Sequence, residues 1–396
     1  MLNILEMNLK GKRVIIRVDY NVPINKGIVI DDFRISSSLP TIKHCLNEGA
    51  SVVLMSHLGR PKGKINSEMS LDPVSFCLEE LLEQDVMFSN NCISEDAIGL
   101  SDQMKPGEIH LLENLRFYKG ETENNLEFSK LLARHGEIYI NDAFGSSHRS
   151  HASNVGVPNL MSETGIGLLM EKEINYLSNM TNNPIEPCVL ILGGAKVEGK
   201  IDLINYMMDK VDAIFIGGAM AFTFLKANGV DIGASLVDNG KLKMASELLS
   251  ISKKNNINII LPMDFVVAKD MKWDTKWRIA STLDFKQDEA GYDIGPETTM
   301  NYEMLLSNMQ TILWNGPMGV CEIPIFSTGT QAIAAAIKNR TEDGAISIIG
   351  GGDTASALNN TGMKDCFTHI STGGGASLQL MSGKELPAIK ALQTYA

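Results

Sequence analysis

Short apolar runs of four to six residues recur along this chain, and a longer stretch with helical spacing comes after most of them. That alternation constrains the fold more than any other feature. Arg13 to Val18 (RVIIRV), Ser51 to Met55, Asp85 to Phe88, Ile109 to Leu112 and Ile138 to Ile140 read as strands. Ser36 to Asn47, Leu71 to Glu83 and Leu126 to His135 read as helices, the second opened by Asp72-Pro73, where proline suits a first helical turn. Strands that alternate with helices predict parallel sheets covered on both faces. The fold class is therefore α/β: two doubly wound, Rossmann-like parallel-sheet domains facing a central cleft.

The second half repeats the architecture without repeating the sequence. Val189 to Leu192, Ala213 to Ile216, Ile257 to Leu261, Thr311 to Trp314, Ala345 to Ile349 and Phe367 to Ile370 read as its strands. Between the halves, Gly156 to Gly167 reads as a connection, Leu168 to Met180 as a helix and Thr181 to Pro187 as a polar break. The expected division is 1–167, a connector over 168–187 and a second domain over 188–375.

Composition narrows the class of protein. With 44% hydrophobic residues in 396, there is ample material for more than one core. Lys and Arg number 35 against 47 Asp and Glu, and the net charge of −12 argues against general nucleic-acid binding. Six cysteines are scattered without a C-x-x-C pair, which points to reduced thiols and a cytoplasmic location. No apolar run approaches the roughly 20 residues of a membrane span, and neither end carries a recognisable targeting signal.

The chemistry lies in the segments just past the strands. In the first half the strand ends lead into Asp19 and Asn21, His57 and Arg60, Arg116, and His148-Arg149, while Arg34 joins from a nearby loop. In a parallel α/β sheet these ends form the ligand-binding edge. Any one of these arginines alone reads as a solvated surface residue. Several converging on one edge repel each other unless an anion fills the gap, and the guanidinium fork suits carboxylate and phosphate. The first half is expected to bind a small, highly anionic ligand. If His57 is a charged contact, affinity falls as pH rises and the imidazole loses its proton.

In the second half the strand ends are glycine-rich: Gly193-Gly194, Gly217-Gly218, Asn315 to Gly319, Gly350 to Thr354 and Thr372 to Gly375. Such turns let a flat or phosphorylated ligand approach the backbone, which favours a nucleotide over a set of ordinary tight turns. Cys188 to Ile201 (CVLILGGAKVEGKI) reads as strand, glycine turn and helix, with Lys196 and Lys200 four residues apart on one helix face. It nearly spells a P-loop, but Ile201 stands where Ser or Thr would ligate magnesium. Gly350-x-Gly352-x-x-Ala355 fits the relaxed dinucleotide fingerprint, yet no acid ends the next strand. Asp353 suits magnesium held beside phosphates, or a plain helix cap. Two sites and no evident Ser-His-Asp or Cys-His arrangement suggest phosphoryl transfer across a closing cleft, which needs positioning and positive charge rather than a protein nucleophile.

These motifs, in this order, resemble phosphoglycerate kinase along essentially the whole chain. The stretches that carry the likeness are Arg17 to Pro23 (RVDYNVP), Ser56 to Pro61 (SHLGRP), Glu113 to Phe117 (ENLRF), Asp142 to Gly145 with His148-Arg149, Gly193 to Val197 (GGAKV), Trp314 to Pro317 (WNGP), Gly350 to Thr354 (GGGDT) and Ser371 to Gly375 (STGGG). The resemblance implies reversible transfer of a phosphoryl group from 1,3-bisphosphoglycerate to MgADP, giving 3-phosphoglycerate and MgATP. It implies that Asp19, Asn21, Arg34, His57, Arg60, Arg116 and Arg149 bind phosphoglycerate. It implies nucleotide binding by Lys196, Lys200, Gly217, Gly218, Asn315, Pro317, Glu322 and the Gly350, Gly351, Gly352, Asp353, Thr354 turn, with Mg2+ on Asp353. Arg34 and Lys196 would stabilise transition-state charge, and Gly373 and Gly374 would face the moving phosphoryl group. It also implies that a tail from about 376 to 396 packs back on the first domain, and that the enzyme is a monomer without nucleic-acid or membrane partners.

Gly199, Tyr118, Gln379 and Ala388 depart from the usual family pattern at their positions. Gly199 is expected to loosen the first turn of the Lys200 helix by about 1 kcal/mol, and Gln379 and Ala388 to alter the hinge or the packing of the tail. Two other readings stand beside an active kinase: a nucleotide-binding protein that no longer catalyses, and an NAD-dependent dehydrogenase resting on Gly350 to Ala355.

Overall fold

The structure is a computed structural model that describes residues 1–393 apart from 256, 360 and 361. The chain forms two compact units, Met1–Asn175 together with the segment from Glu385 onward, and Tyr176–Lys384.

Unit 1 is built on a seven-stranded sheet. Its strands are β1 (Leu2–Asn3), β2 (Arg13–Arg17), β3 (Ser51–Met55), β4 (Met87–Ser89), β5 (Ile109–Leu112), β6 (Ile138–Asn141) and β7 (Thr164–Ile166). They lie in the order β1-β7-β6-β2-β3-β5-β4, and every pairing is parallel. Val14, Ile15, Ile16, Val52, Val53 and Leu54 are fully buried, as strands covered on both faces require. Register levels the strand ends: Arg17 lies opposite Met55 on one side and Asn141 on the other. The loops after these strands therefore open on one edge.

Unit 2 carries a six-stranded parallel sheet and a three-stranded antiparallel one. Its strands are β8 (Cys188–Leu192), β9 (Ala213–Ile216), β10 (Asn258–Ile260), β11 (Asp264–Ala268), β12 (Trp277–Ser281), β13 (Ala290–Ile294), β14 (Thr311–Asn315), β15 (Ile346–Gly350) and β16 (His369–Ile370). The parallel order is β10-β9-β8-β14-β15-β16, and the antiparallel order is β12-β11-β13. Leu192 pairs with Ile216 and Asn315, and Asn315 with Gly350, so four glycine turns start level.

Several local expectations change. The stretch 156–167 is not all connection, because Thr164–Ile166 pairs with β6 and with β1. Arg34 is not in a loop: it is the second residue of the helix Phe33–Asn47, which starts three residues before the apolar pattern does. The helix Leu168–Asn182 runs through the division between the units, which falls after Asn175, inside the 168–187 connector. The segment from about 376 does not all return to unit 1. The helix Gly374–Met381 packs within unit 2 against Lys200–Met207, and the return begins at Glu385. There Ala388 is buried and its N–H donates to Ser147 O at 3.1 Å. The last three residues of that tail, 394–396, lie outside the described residues.

Candidate functional site

The loops at the β2, β3 and β5 ends of unit 1 interlock through side chain to backbone bonds. Ser56 Oγ donates to Val18 O and accepts from Tyr20 N, both at 2.8 Å. Asn114 Oδ1 accepts from Leu58 N at 3.1 Å and from Arg116 N at 3.0 Å, while its Nδ2 donates to Leu58 O at 2.7 Å. Asn21 Oδ1 accepts from Gly59 N at 2.8 Å, and Arg116 Nη1 donates to Gly59 O at 2.8 Å. These bonds fix three loops relative to each other before any ligand arrives.

On that frame sit the charged groups. Arg34 Nη1 lies 3.3 Å from Asp19 Oδ2 and donates to Asn21 O at 3.2 Å. His57 is buried against Arg17, whose Nη2 lies 3.0 Å from its Nδ1, and its Nδ1 is 3.8 Å from Asp19 Oδ1. Burial, followed by the charges of Arg17, Arg116 and Arg34, holds the His57 imidazole well below its usual range. His57 is therefore neutral near pH 7, and the expected loss of affinity through its deprotonation does not apply to it. Burial, aided by the neighbouring arginines, also brings His148 and His151 down to about 4. Arg116 is lowered to about 10 by burial and then by Arg17. Arg60 and Arg149 are exposed, and Arg149 acts electrostatically on Arg116, His148 and His151. Arg116 Nε, His148 Nδ1 and His151 Nδ1 are buried without a hydrogen-bond partner. Buried polar atoms are normally paired, and the Arg116 Nε–H can only donate, so an unpaired guanidinium donor close to Arg17 and Arg149 favours an anion there.

In unit 2 the glycine turns pack on each other. Gly194 N donates to Pro317 O at 2.7 Å and Gly218 N to Met318 O at 2.9 Å; Gly217 N reaches Leu192 O at 2.7 Å. Gly218 has φ +60°, and a Cβ there would lie 2.3 Å from Gly194 N. Its glycine is required by the turn next to it, a demand that comes before any ligand. Thr354, fully buried, accepts from Gly316 N at 2.8 Å and ties the 350–354 turn to the 315–319 turn. Asn315 is buried beside Gly350 and Gly351, with Nδ2 unpartnered.

These turns border a cavity of about 710 Å³ whose lining includes Gly194, Gly218, Pro317, Glu322 and Asp353. Two helices begin side by side there. Gly352–Asn359 carries the exposed Asp353 as its second residue, and Gly374–Met381 starts after Gly373, with Gly374 close to Gly352 N. Paired helix N-termini favour phosphate. Asp353 lies within the helix and not at its cap, which leaves its carboxylate available to a cation. No cluster of three or more metal-ligating side chains occurs among the described residues. A single carboxylate beside a phosphate seat fits magnesium that arrives with its nucleotide.

The two lysines do not share a helix face. The helix begins only at Lys200, and Lys196 lies exposed in the loop before it. Lys200 is 7% exposed, and its Nζ donates to Gly193 O. Burial lowers it to about 8, with Asp353 pulling the other way. Gly199 precedes the helix at φ +81°, a left-handed turn open on its Cβ side. It weakens no helix interior; it supplies the turn that starts the helix. Sequence reasoning also passed over Arg17, Glu121 and Ser153, a buried polar group under the unit 1 pocket. The available signal was a charge in an otherwise apolar strand.

A cluster of cationic groups at one sheet edge and a glycine-lined cavity with paired helix N-termini at another, with no side-chain nucleophile required, suit a phosphotransferase of the two-unit α/β class. Comparison with known proteins makes this specific. Residues 4–384 match the sequence model of the phosphoglycerate kinase family. The phosphoglycerate kinase of Chloroherpeton thalassium is 48% identical over 387 residues, covering 98% of both chains. That of Dictyoglomus turgidum is 48% identical over 394 residues, covering 99% of this chain and 98% of its own. Among solved structures, the phosphoglycerate kinase from Coxiella burnetii is 40% identical with a TM-score of 0.86, over 100% of this chain and 99% of that one. The enzyme from Pyrococcus horikoshii OT3 is 32% identical with a TM-score of 0.88 over the same shares. The chain belongs to the phosphoglycerate kinase family, and it catalyses the glycolytic phosphoryl transfer between 1,3-bisphosphoglycerate and ADP. No helix among the described residues is long and apolar enough to cross a membrane.

Proposed function

We propose that unit 1 binds the phosphoglycerate and unit 2 the nucleotide, each through the residues that the sequence singled out. Arg34, Arg60, Arg116 and Arg149 pair with the carboxylate and phosphate oxygens, while Asp19 and Asn21 orient Arg34 and His57 donates a neutral hydrogen bond. The observation that carries this reading is the close set of guanidinium groups, Arg116 with Arg17 and Arg149 acting on it, in which the Arg116 Nε–H is buried without a partner. Lys196 and Lys200 hold the nucleotide phosphates, Thr354 and Asn315 fix the turns beside them, and Gly217, Gly218, Pro317 and Glu322 border the nucleoside. Asp353 holds Mg2+, which neutralises phosphate charge when bound.

In the reaction, a terminal oxygen of ADP attacks the acyl phosphate in line and the carboxylate leaves. The chain supplies alignment and positive charge, with Arg34 and Lys196 compensating charge on the moving phosphoryl group and the Gly373 and Gly374 backbone facing it. We further assign the enzyme to the cytoplasm, a reading supported by six free cysteines, and take it to be a monomer, which sedimentation at micromolar concentration checks.

The test is turnover of MgATP with 3-phosphoglycerate, trapping the acyl phosphate with hydroxylamine and omitting each component in turn. Product must require both substrates and magnesium. Lys196→Ala that left turnover within a few-fold of wild type would remove Lys196 from the catalytic set. Ligand binding without turnover would favour the non-catalytic alternative.

A further inference from the structure

Arg17 ends β2, is fully buried, and does not belong to the proposed phosphoglycerate ligands. Each of its nitrogens is engaged within unit 1. Nε donates to Ser153 Oγ at 2.8 Å, Nη1 donates to Val18 O, and Nη2 lies 3.0 Å from His57 Nδ1. Ser153 is held in turn: its Oγ donates to Glu121 Oε1 at 2.7 Å, its N–H to Glu121 Oε2 at 3.0 Å, and its carbonyl accepts from Tyr139 OH at 2.8 Å. It sits in a π-helical turn, Ala152–Gly156, a distortion that often accompanies function. Glu121 is itself fully buried, so the guanidinium has a carboxylate behind it, one hydroxyl away.

A guanidinium can only donate. The atom it faces on His57 must therefore be the bare, accepting nitrogen, and the ring hydrogen sits on Nε2. We infer that Arg17 is a positioning residue which fixes the His57 imidazole as its Nε2–H tautomer, so that His57 offers the bound phosphoglycerate a neutral donor of constant orientation. This rests on the phosphoglycerate reading of the unit 1 pocket. Arg17 acts only through the ring, since none of its surface is open to a ligand. The charged and titratable groups around His57 are Arg17 itself, Arg34 from the helix Phe33–Asn47, Arg116 from the turn after β5, His151 and Asp19. Four are basic, and a protonated ring among them would add to their mutual repulsion. Burial and these charges keep the ring neutral across the range where histidine ordinarily titrates, and Arg17 decides which nitrogen carries its one proton.

Ring-15N-labelled histidine spectra of the full chain, with His57 assigned through His57→Gln, read the tautomer directly. The expected wild-type result is a neutral Nε2–H ring from pH 6 to 8, with a 3-phosphoglycerate KM that the ring does not modulate. In Arg17→Met the ring, still buried among Arg34 and Arg116, stays neutral but divides between the Nδ1–H and Nε2–H forms, and the 3-phosphoglycerate KM rises about twofold at every pH from 6 to 8. The double variant Arg17→Met, His57→Gln has the same KM as His57→Gln alone, which assigns the Arg17 effect to His57 and not to His148 or His151. Ser153→Ala, a milder change, gives a mixed tautomer and covers the case in which Arg17→Met does not fold. An Nδ1–H ring in the wild type overturns the inference outright, as does an unchanged ring in folded Arg17→Met. If His57→Gln leaves 3-phosphoglycerate affinity unaltered while the spectra behave as expected, the ligand reading fails and the tautomer assignment stands.

Discussion

Lys200→Met should make the ligand-free protein more stable while removing its activity. The lysine is 7% exposed, and burial lowers it from 10.5 to about 8. At 1.36 kcal/mol per pH unit that depression is a cost of about 3 kcal/mol for keeping the charge at pH 7. Methionine has a similar length and removes the cost, but Gly193 O loses its donor, worth about 1 kcal/mol. The net gain is about 2 kcal/mol, or about 4–8 °C in the melting temperature of a unit of this size. The sign with pH is specific. Between about 8 and 10.5 the unfolded chain holds a proton that the folded one has lost, so wild-type stability rises with pH across that window. The variant lacks this rise, and the gap between them closes by about pH 10. Scanning calorimetry of both proteins at pH 7 and pH 10, without ligand, reads the effect. Adding MgADP at pH 7 should stabilise wild type more than the variant, because phosphate gives the buried charge its partner. A variant that melts below wild type at pH 7, or a gap that persists at pH 10, would refute the argument that Lys200 is held charged at a cost.

Arg116→Met should weaken 3-phosphoglycerate binding by about 2–3 kcal/mol, roughly 30- to 150-fold, with nucleotide affinity unchanged by calorimetry, because it removes a proposed charge partner of the ligand whose Nε–H has no other partner. Gly218→Ala should destabilise the protein by roughly 2–3 kcal/mol in urea titration, since its Cβ would sit 2.3 Å from Gly194 N at a positive φ. Asp142 is buried and raised from 3.8 to about 7, chiefly by burial, so folded-state stability should fall as pH rises across that window. Asp142→Asn keeps an acceptor for Met170 N and should abolish the fall, leaving the variant roughly 2–4 kcal/mol more stable than wild type at pH 8 and nearly equal to it at pH 4, by urea titration at both values.

The parallel strands were legible because strands covered on both faces leave continuous apolar runs, as in Val14 to Ile16 and Val52 to Leu54, and because parallel order puts their ends on one edge. Strands paired on a weaker pattern were not. Thr164–Ile166 is three residues long and holds its place by pairing with β1, at the far end of the chain's first 166 residues. In the antiparallel sheet of unit 2, β12 leaves Trp277 and Ile279 exposed, so its apolar residues do not mark a buried face. Within the sites, residue type was legible and function within the type was not. Lys196 and Lys200 look equivalent at four residues' separation, yet one is exposed and one buried, because the helix starts at the second of them. Glycine was read as access for a ligand, whereas Gly218 is first demanded by another turn.

The Arg17 group shows where the boundary lies. Its partners stand 40 and 136 residues away, and no local pattern connects them. What the sequence does contain is the anomaly itself: a permanent charge in a run, RVIIRV, whose other central members are buried hydrocarbon. A charge in such a place costs several kcal/mol unless it is paired, so it has to be matched somewhere in the fold. The matching here is to Glu121 through Ser153 on one side and to His57 on the other. The first bonding set offsets the cost of burial and asks nothing of the ligand. The second uses the remaining donor to decide how a histidine at the pocket presents itself. A buried guanidinium needs a partner for that donor as well, and because the partner is a ring nitrogen of His57, the bond that satisfies Arg17 also sets the tautomer His57 presents.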